Sequence, residues 1–150
     1  MEQYAFWEKF DLENFDLNEK KSRELQAQFG FAQRVRELVT AKYTNQPLAF
    51  VHTYGCQQNV SDSEHLKGYL ELMGYGFTDD LNEADLVLYN TCAVREHAES
   101  RVFGNVGILK ANKRLRPGML ICMCGCMAQQ KEVSEKIRKS YPYVDILFGT

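Results

Sequence analysis

Five cysteines, Cys56, Cys92, Cys122, Cys124 and Cys126, are the residues whose type and spacing can do chemistry in this chain. Thiolates ligate soft metals and iron–sulfur clusters, and they act as redox nucleophiles. The count is odd. Residues 1–10 carry Glu2 and Glu8 where a secretion signal would carry a basic start and an apolar stretch, so they do not read as a signal peptide. A disulfide framework is therefore disfavoured, and metal binding becomes the better question. A thiol–disulfide redox protein is disfavoured as well, because no Cys-x-x-Cys is present.

Three of the cysteines follow apolar runs of strand length. Residues 48–53 precede Cys56, residues 85–90 precede Cys92, and residues 119–123 precede Cys126. Residues 75–78 and 144–148 read as further short strands. Between them lie helical patterns. Residues 62–73 carry Leu66, Tyr69, Leu70 and Met73 at helical spacing, with Ser61 and Glu64 as a capping box and Gly74 as the stop. Residues 94–115 place Val94, Ala98, Val102, Val106 and Leu109 on one side. Residues 128–140 turn Val133 and Ile137 inward and carry the pairs Glu132/Lys136 and Glu135/Lys139. Gly104 and Gly107 inside a helix imply close packing there. Continuous apolar strands alternating with helices argue for an α/β fold. The architecture is a mostly parallel open sheet with flanking helices, flavodoxin- or Rossmann-like.

Pro47, Pro117 and Pro142 mark strand boundaries. Residues 1–46 form a helical N-terminal extension with a stripe of Phe31, Val35, Leu38 and Val39, a helix start near Ser22, and Phe6, Trp7, Phe10 and Phe15 to pack on the main body. Residues 47–150 form the main domain. Each cysteine interval slightly exceeds the about 30 residues of a βαβ unit, and right-handed crossovers return every strand in the same direction. Cys56, Cys92 and Cys126 should therefore meet at the carboxyl edge of the sheet, where open α/β sheets bind ligands. Helices starting just after each one favour the thiolate form.

Three convergent thiolates suit a metal site that keeps one coordination position open, and topology alone does not choose the metal. Cys122 lies within a strand and reads as a buried small hydrophobe. Cys122, Cys124 and Cys126 alternate, so an extended backbone aims all three at one face, and Cys124 is a spare ligand or an alternative to Cys126. Asn59 and Asp62 serve either as turn and cap residues or as hydrogen-bond support for the site, and Asn90 and Thr91 share those two readings. Arg95 either neutralises a cluster, contacts RNA phosphate or pairs with Glu99. Lys110, Lys113, Arg114 and Arg116 complement a helix dipole, with nucleic-acid contact as the alternative. His52, His65 and His97 show no ligand spacing.

The 150 residues include 18 basic and 20 acidic side chains, a net charge of −2, which argues against a module that holds nucleic acid by its own electrostatics. No apolar run approaches the roughly 20 residues of a membrane helix.

Three spaced motifs carry a family resemblance. They are Tyr54-Gly-Cys-Gln-Gln-Asn59 with Asp62-Ser-Glu64, then Asn90-Thr-Cys-Ala-Val-Arg-Glu96, then Gly125-Cys-Met-Ala-Gln129. Together they resemble the N-terminal domain of radical-SAM methylthiotransferases, over about residues 47–150. Gln57-Gln58 and Ala93-Val-Arg-Glu point to the branch that modifies tRNA. The resemblance implies that Cys56, Cys92 and Cys126 hold an auxiliary 4Fe-4S cluster whose fourth iron lacks a protein thiolate. It implies a cytoplasmic monomer acting in tRNA processing, a transferase that adds a methylthio group to C2 of N6-isopentenyladenosine beside the anticodon. S-adenosylmethionine and a second 4Fe-4S cluster, held by Cys-x3-Cys-x2-Cys, belong to the full-length enzyme. These 150 residues contain no such motif, so the chain reads as the auxiliary-cluster part of a longer enzyme, without turnover alone. The alternative is a non-catalytic zinc-binding or flavodoxin-like interaction module.

Overall fold

A computed structural model describes residues 19–92 and 96–149. The start of the helix expected from Val94, the residue Arg95 and the aromatics Phe6, Trp7, Phe10 and Phe15 lie outside the described residues. The elements run α1 (Glu19–Lys42), β1 (Leu48–Thr53), α2 (Gln57–Leu72), β2 (Gly76–Phe77), β3 (Leu86–Thr91), α3 (Glu96–Leu115), β4 (Leu120–Gly125), a short α4 (Cys126–Gln129), α5 (Lys131–Ser140) and β5 (Ile146–Leu147).

The five strands form one sheet in the order β2-β1-β3-β4-β5 with every pairing parallel. This is the open α/β architecture that the alternation of apolar runs and helices implies. β3 is buried along its whole length, as its unbroken apolar run requires of a central parallel strand. One layer packs Val102, Val106 and Leu109 of α3 and Val133 and Ile137 of α5 against Val87, Ile121 and Met123. The other packs Val39 of α1 and Leu70 of α2 against Ala49, Leu86, Leu88, Cys122 and Cys124.

Several local expectations need correction. α2 begins at Gln57, directly after Cys56, so Ser61 lies inside the helix and caps nothing; Glu64 pairs with Lys67 at 2.9 Å. Its far end does stop at Gly74 (φ +99°), where the amides of Gly74 and Tyr75 bond to the carbonyls of Glu71 and Leu70. In α1 the inward stripe is Ala32, Val35 and Val39, while Phe31 and Leu38, one residue out of phase, are 63% and 70% exposed. The helix expected over residues 128–140 is two, broken at Gln130, whose backbone is extended. Lys136 turns from Glu132 to Glu99 (3.8 Å) and lies 4.0 Å over the Phe103 ring. Gly104 and Gly107 are exposed, with nothing near the position of a Cβ, so no close packing demands them.

The basic run at the end of α3 is partly committed to the amino-terminal edge of the sheet. Arg116 binds Asp85 at 2.5 Å, and the other oxygen of Asp85 accepts the amide of Leu48 at 2.9 Å. Lys113 binds Asp145 at 2.7 Å, and Asp145 accepts the amide of Ile121 at 2.8 Å. Each carboxylate thus staples a strand start to a helix end, at the edge opposite the cysteines. No helix among the described residues is long and apolar enough to cross a membrane.

Candidate metal-binding rim

In a parallel sheet ordered 2-1-3-4-5, the chain leaves β1 toward one side and resumes at β3 on the other. α2 and α3 consequently cover opposite faces, and a crevice opens at the carboxyl ends of β1 and β3, the usual ligand position of such folds. Cys56 follows β1 and Cys92 follows β3, so both stand at that switch point. Cys126 follows β4, the next strand along the same edge.

Two glycines with positive φ draw these segments together. Gly55 (φ +126°) lies so close to Cys92 that a Cβ there would stand 2.3 Å from the Cys92 Cβ and 3.0 Å from its sulfur. Gly125 (φ +98°) lies against the end of β3, where a Cβ would meet the Thr91 carbonyl oxygen at 2.1 Å. Each glycine immediately precedes a cysteine, so the Cys56 and Cys126 turns both press on the strand end that delivers Cys92. Among the described residues no three or more His, Cys, Asp or Glu side chains are gathered around a single ion position.

Cys56 is exposed and caps α2. The amides of Asn59 and then Gln58 face its sulfur and hold its pKa below the ordinary thiol value; the Cys92 side chain adds a smaller push in the same direction. Cys92 is buried and Cys126 exposed. Cys122 and Cys124 share one face of β4 inside the α1/α2 layer. Burial pushes both thiols up to about 12, helped by Asp145 at Cys122 and by Asp62 at Cys124. The alternation expected to aim Cys126 at that same face ends at Gly125, whose left-handed backbone turns the chain out of the sheet into α4. An alkylation profile of the metal-free chain follows. Cys56 should react with iodoacetamide with a midpoint below the ordinary thiol pKa, while Cys122 and Cys124 stay unlabelled through pH 10. Peptide mass spectrometry across a pH series reads both; Cys56 labelling no faster than free cysteine at neutral pH refutes it.

Beneath the rim lies a buried polar cluster. Asn90 Nδ2 donates to the Asn59 carbonyl at 2.9 Å and to Ser63 Oγ at 3.0 Å. Asn59 Nδ2 donates to Asn90 Oδ1 and to the Thr91 carbonyl, each at 3.3 Å, and Asn59 Oδ1 accepts the Cys56 thiol at 3.3 Å. Thr53 and Ser63 hydroxyls meet at 2.7 Å, and the Thr91 hydroxyl donates to the Cys124 carbonyl at 2.6 Å. The expected support residues Asn59, Asn90 and Thr91 thus come together. Asp62 stands apart on the second turn of α2, accepting a bond from Gln58 at 3.1 Å, and Asn59 and Asp62 are helical rather than part of a turn before the helix. Thr53, Ser63 and Gly125 also belong to this cluster, and no role for them was read from the sequence. The repeated Gly-Cys step at Gly55 and Gly125 was the available signal.

The three histidines lie away from these sulfurs or outside description. His52 packs among aromatic rings, 4.5 Å from Tyr54 and 6.2 Å from Tyr89, beside a cavity of about 210 Å³ on the α3 face, and burial lowers its pKa. His65 is exposed on α2, and the His97 side chain is outside the described residues.

Comparison with known proteins gives concordant matches. The family model described as "Uncharacterized protein family UPF0004" matches residues 48–149. A protein of Caldicellulosiruptor saccharolyticus named tRNA-2-methylthio-N(6)-dimethylallyladenosine synthase is 60% identical over 98 residues, 65% of this chain and 21% of that protein. Proteins of the same name from Acetivibrio thermocellus and Clostridium beijerinckii are 48% identical over 130 residues and 52% identical over 103 residues. Those matches cover 85% and 69% of this chain, and 27% and 23% of the relatives. The chain spans about a quarter of the length of these relatives.

Proposed function

The chain belongs to the protein family UPF0004, and from that premise we propose that residues 47–150 are the auxiliary-cluster domain of a tRNA methylthiotransferase, with Cys56, Cys92 and Cys126 as ligands of a 4Fe-4S cluster. The observation that supports the reading is the approach of the Gly55 and Gly125 turns to the strand end before Cys92, which sets the three cysteine-bearing segments side by side at one edge of the sheet. Thiolates are the natural ligands of iron–sulfur centres. A four-iron cluster takes each thiolate at a separate iron, so sulfurs distributed around a rim suit it, whereas one zinc ion needs its donors around one point.

When bound, such a cluster would supply an iron without a protein thiolate, a place for exogenous sulfur. The chain's own residues do the holding. The start of α2 favours thiolate at Cys56. Cys92 is itself 5% exposed, so little water reaches its side chain. The elevated thiols of Cys122 and Cys124 favour Cys126 as the third ligand.

The wider reading joins the names of the relatives, which give the tRNA product, to the motif resemblance, which implies the rest. The parent enzyme acts in the cytoplasm as a monomer and takes tRNA and S-adenosylmethionine as substrates. It adds a methylthio group to C2 of N6-isopentenyladenosine beside the anticodon, and a second 4Fe-4S cluster lies elsewhere in the full-length protein. The 150-residue chain alone performs no turnover.

Anaerobic reconstitution with iron and sulfide tests this reading. A brown protein with about four irons per chain is the expected product. Cys92→Ala should abolish iron uptake while leaving the circular dichroism spectrum of the sheet and helices in place. Stoichiometric zinc binding without iron uptake would overturn the cluster in favour of a zinc-binding interaction module.

A further inference from the structure

We propose that Asn59 and Asn90 form a clasp that fixes Cys56 relative to Cys92, so that the two thiols are a preset pair before any metal arrives. The purpose of the pair rests on the cluster reading above; its geometry does not.

Asn59 and Asn90 are 3% and 0% exposed, on α2 and β3 respectively. A buried primary amide is costly unless all its hydrogen bonds are made, and here two of the four amide-hydrogen bonds join these two residues to each other. The Asn59 side chain donates to the Asn90 side chain, and the Asn90 side chain donates back to the Asn59 backbone. Both amide hydrogens of Asn59 and both of Asn90 have acceptors. The two ends of the clasp then reach the cysteines. Asn59 Oδ1 accepts the Cys56 thiol, and Asn59 Nδ2 holds the Thr91 carbonyl, the peptide bonded to Cys92. Asn59 therefore ties the first turn of one cysteine-bearing helix to the exit of the neighbouring cysteine-bearing strand. Satisfied buried networks of this kind rigidify and specify one arrangement. Asn59 and Asn90 act through the cysteines and are positioning residues.

The test uses the metal-free 150-residue chain carrying Cys126→Ser, so that Cys56 and Cys92 are the only rim thiols. The probe is phenylarsine oxide, whose arsenic bridges two adjacent thiols. Two As–S bonds form, the two thiol protons combine with the oxide oxygen, and water leaves. One equivalent should bind. Asn59→Ala and Asn90→Ala should each weaken binding roughly tenfold or more, the fold-change that losing about one hydrogen bond gives. Ser63→Ala removes one acceptor of the Asn90 amide but no bond to the Cys56 thiol or to the Thr91 carbonyl. It should lower the melting temperature while leaving arsenical affinity unchanged. Should Asn59→Ala fail to fold, the isosteric Asn59→Asp decides with the same readout, because it loses both amide donors. Unchanged affinity in the folded asparagine variants, or losses that track melting temperature equally in Ser63→Ala, overturns the clasp. Iron reconstitution separates the two ideas: a chain that takes no iron yet shows clasp-dependent arsenical binding loses the cluster reading alone.

Discussion

Gly125→Ala is expected to destabilise the domain by about 3–5 kcal/mol and to lower its melting temperature by roughly 10 °C or more. Two separate penalties add. The backbone at Gly125 has φ +98°, a conformation that side-chain-bearing residues adopt only with strain. The new methyl would also stand 2.1 Å from the Thr91 carbonyl oxygen and 2.8 Å from the Thr91 amide, and backbone in a central strand cannot step aside. The local answer is separation of β4 from β3 at the rim, which breaks the Thr91 hydroxyl bond to the Cys124 carbonyl. Gly104→Ala is the contrasting control. That position is an exposed helix interior with open space around it, so alanine should stabilise by about 1 kcal/mol through helix propensity. Urea titrations of the two variants check both signs. A Gly125→Ala chain as stable as its parent would mean that the rim does not need this approach.

Those two glycines show where sequence reading works and where it stops. A glycine within a helical pattern looks as if it marks a contact, but the same letter marks open solvent at Gly104 and a carbonyl at van der Waals limit at Gly125. Only the neighbouring strand decides, and it is more than thirty residues away in the chain. The strands were legible because β1, β3 and β4 are continuous apolar runs, which a parallel sheet covered on both faces requires. That Cys56, Cys92 and Cys126 each follow a strand of the same parallel sheet was legible from strand direction alone. The start of α2 was not legible. Its first turn, Gln57-Gln58-Asn59, is polar because Asn59 is buried in hydrogen bonds rather than apolar contacts, so hydrophobic periodicity begins one turn late. Site residues hid the helix that presents them. The break at Gln130 carries neither proline nor glycine and left no mark either.

Cys126→Ala is expected to reduce reconstituted iron from about four per chain to near zero, whereas Cys124→Ala should retain the cluster and cost only about 1 kcal/mol of stability. Spacing alone treats the two as interchangeable, since both lie on one side of an extended run. The difference is made at Gly125. Before it, Cys124 is fully buried beside Cys122 and Leu88, and its thiol is pushed up to about 12 by burial and then by the charge of Asp62. A ligand must shed its proton, and a thiol that ionises only near pH 12 stays protonated at neutral pH. After it, Cys126 is exposed at the start of α4, outside the sheet. For Cys124 to replace Cys126, the end of β4 would have to leave its register with β3, losing the pairs Asn90↔Cys124 and Thr91↔Gly125. Iron and sulfide analysis of the two variants, with urea midpoints as the control for folding, decides between them. Iron loss in Cys124→Ala with Cys126→Ala intact would reverse the assignment and move the site from the rim into the sheet.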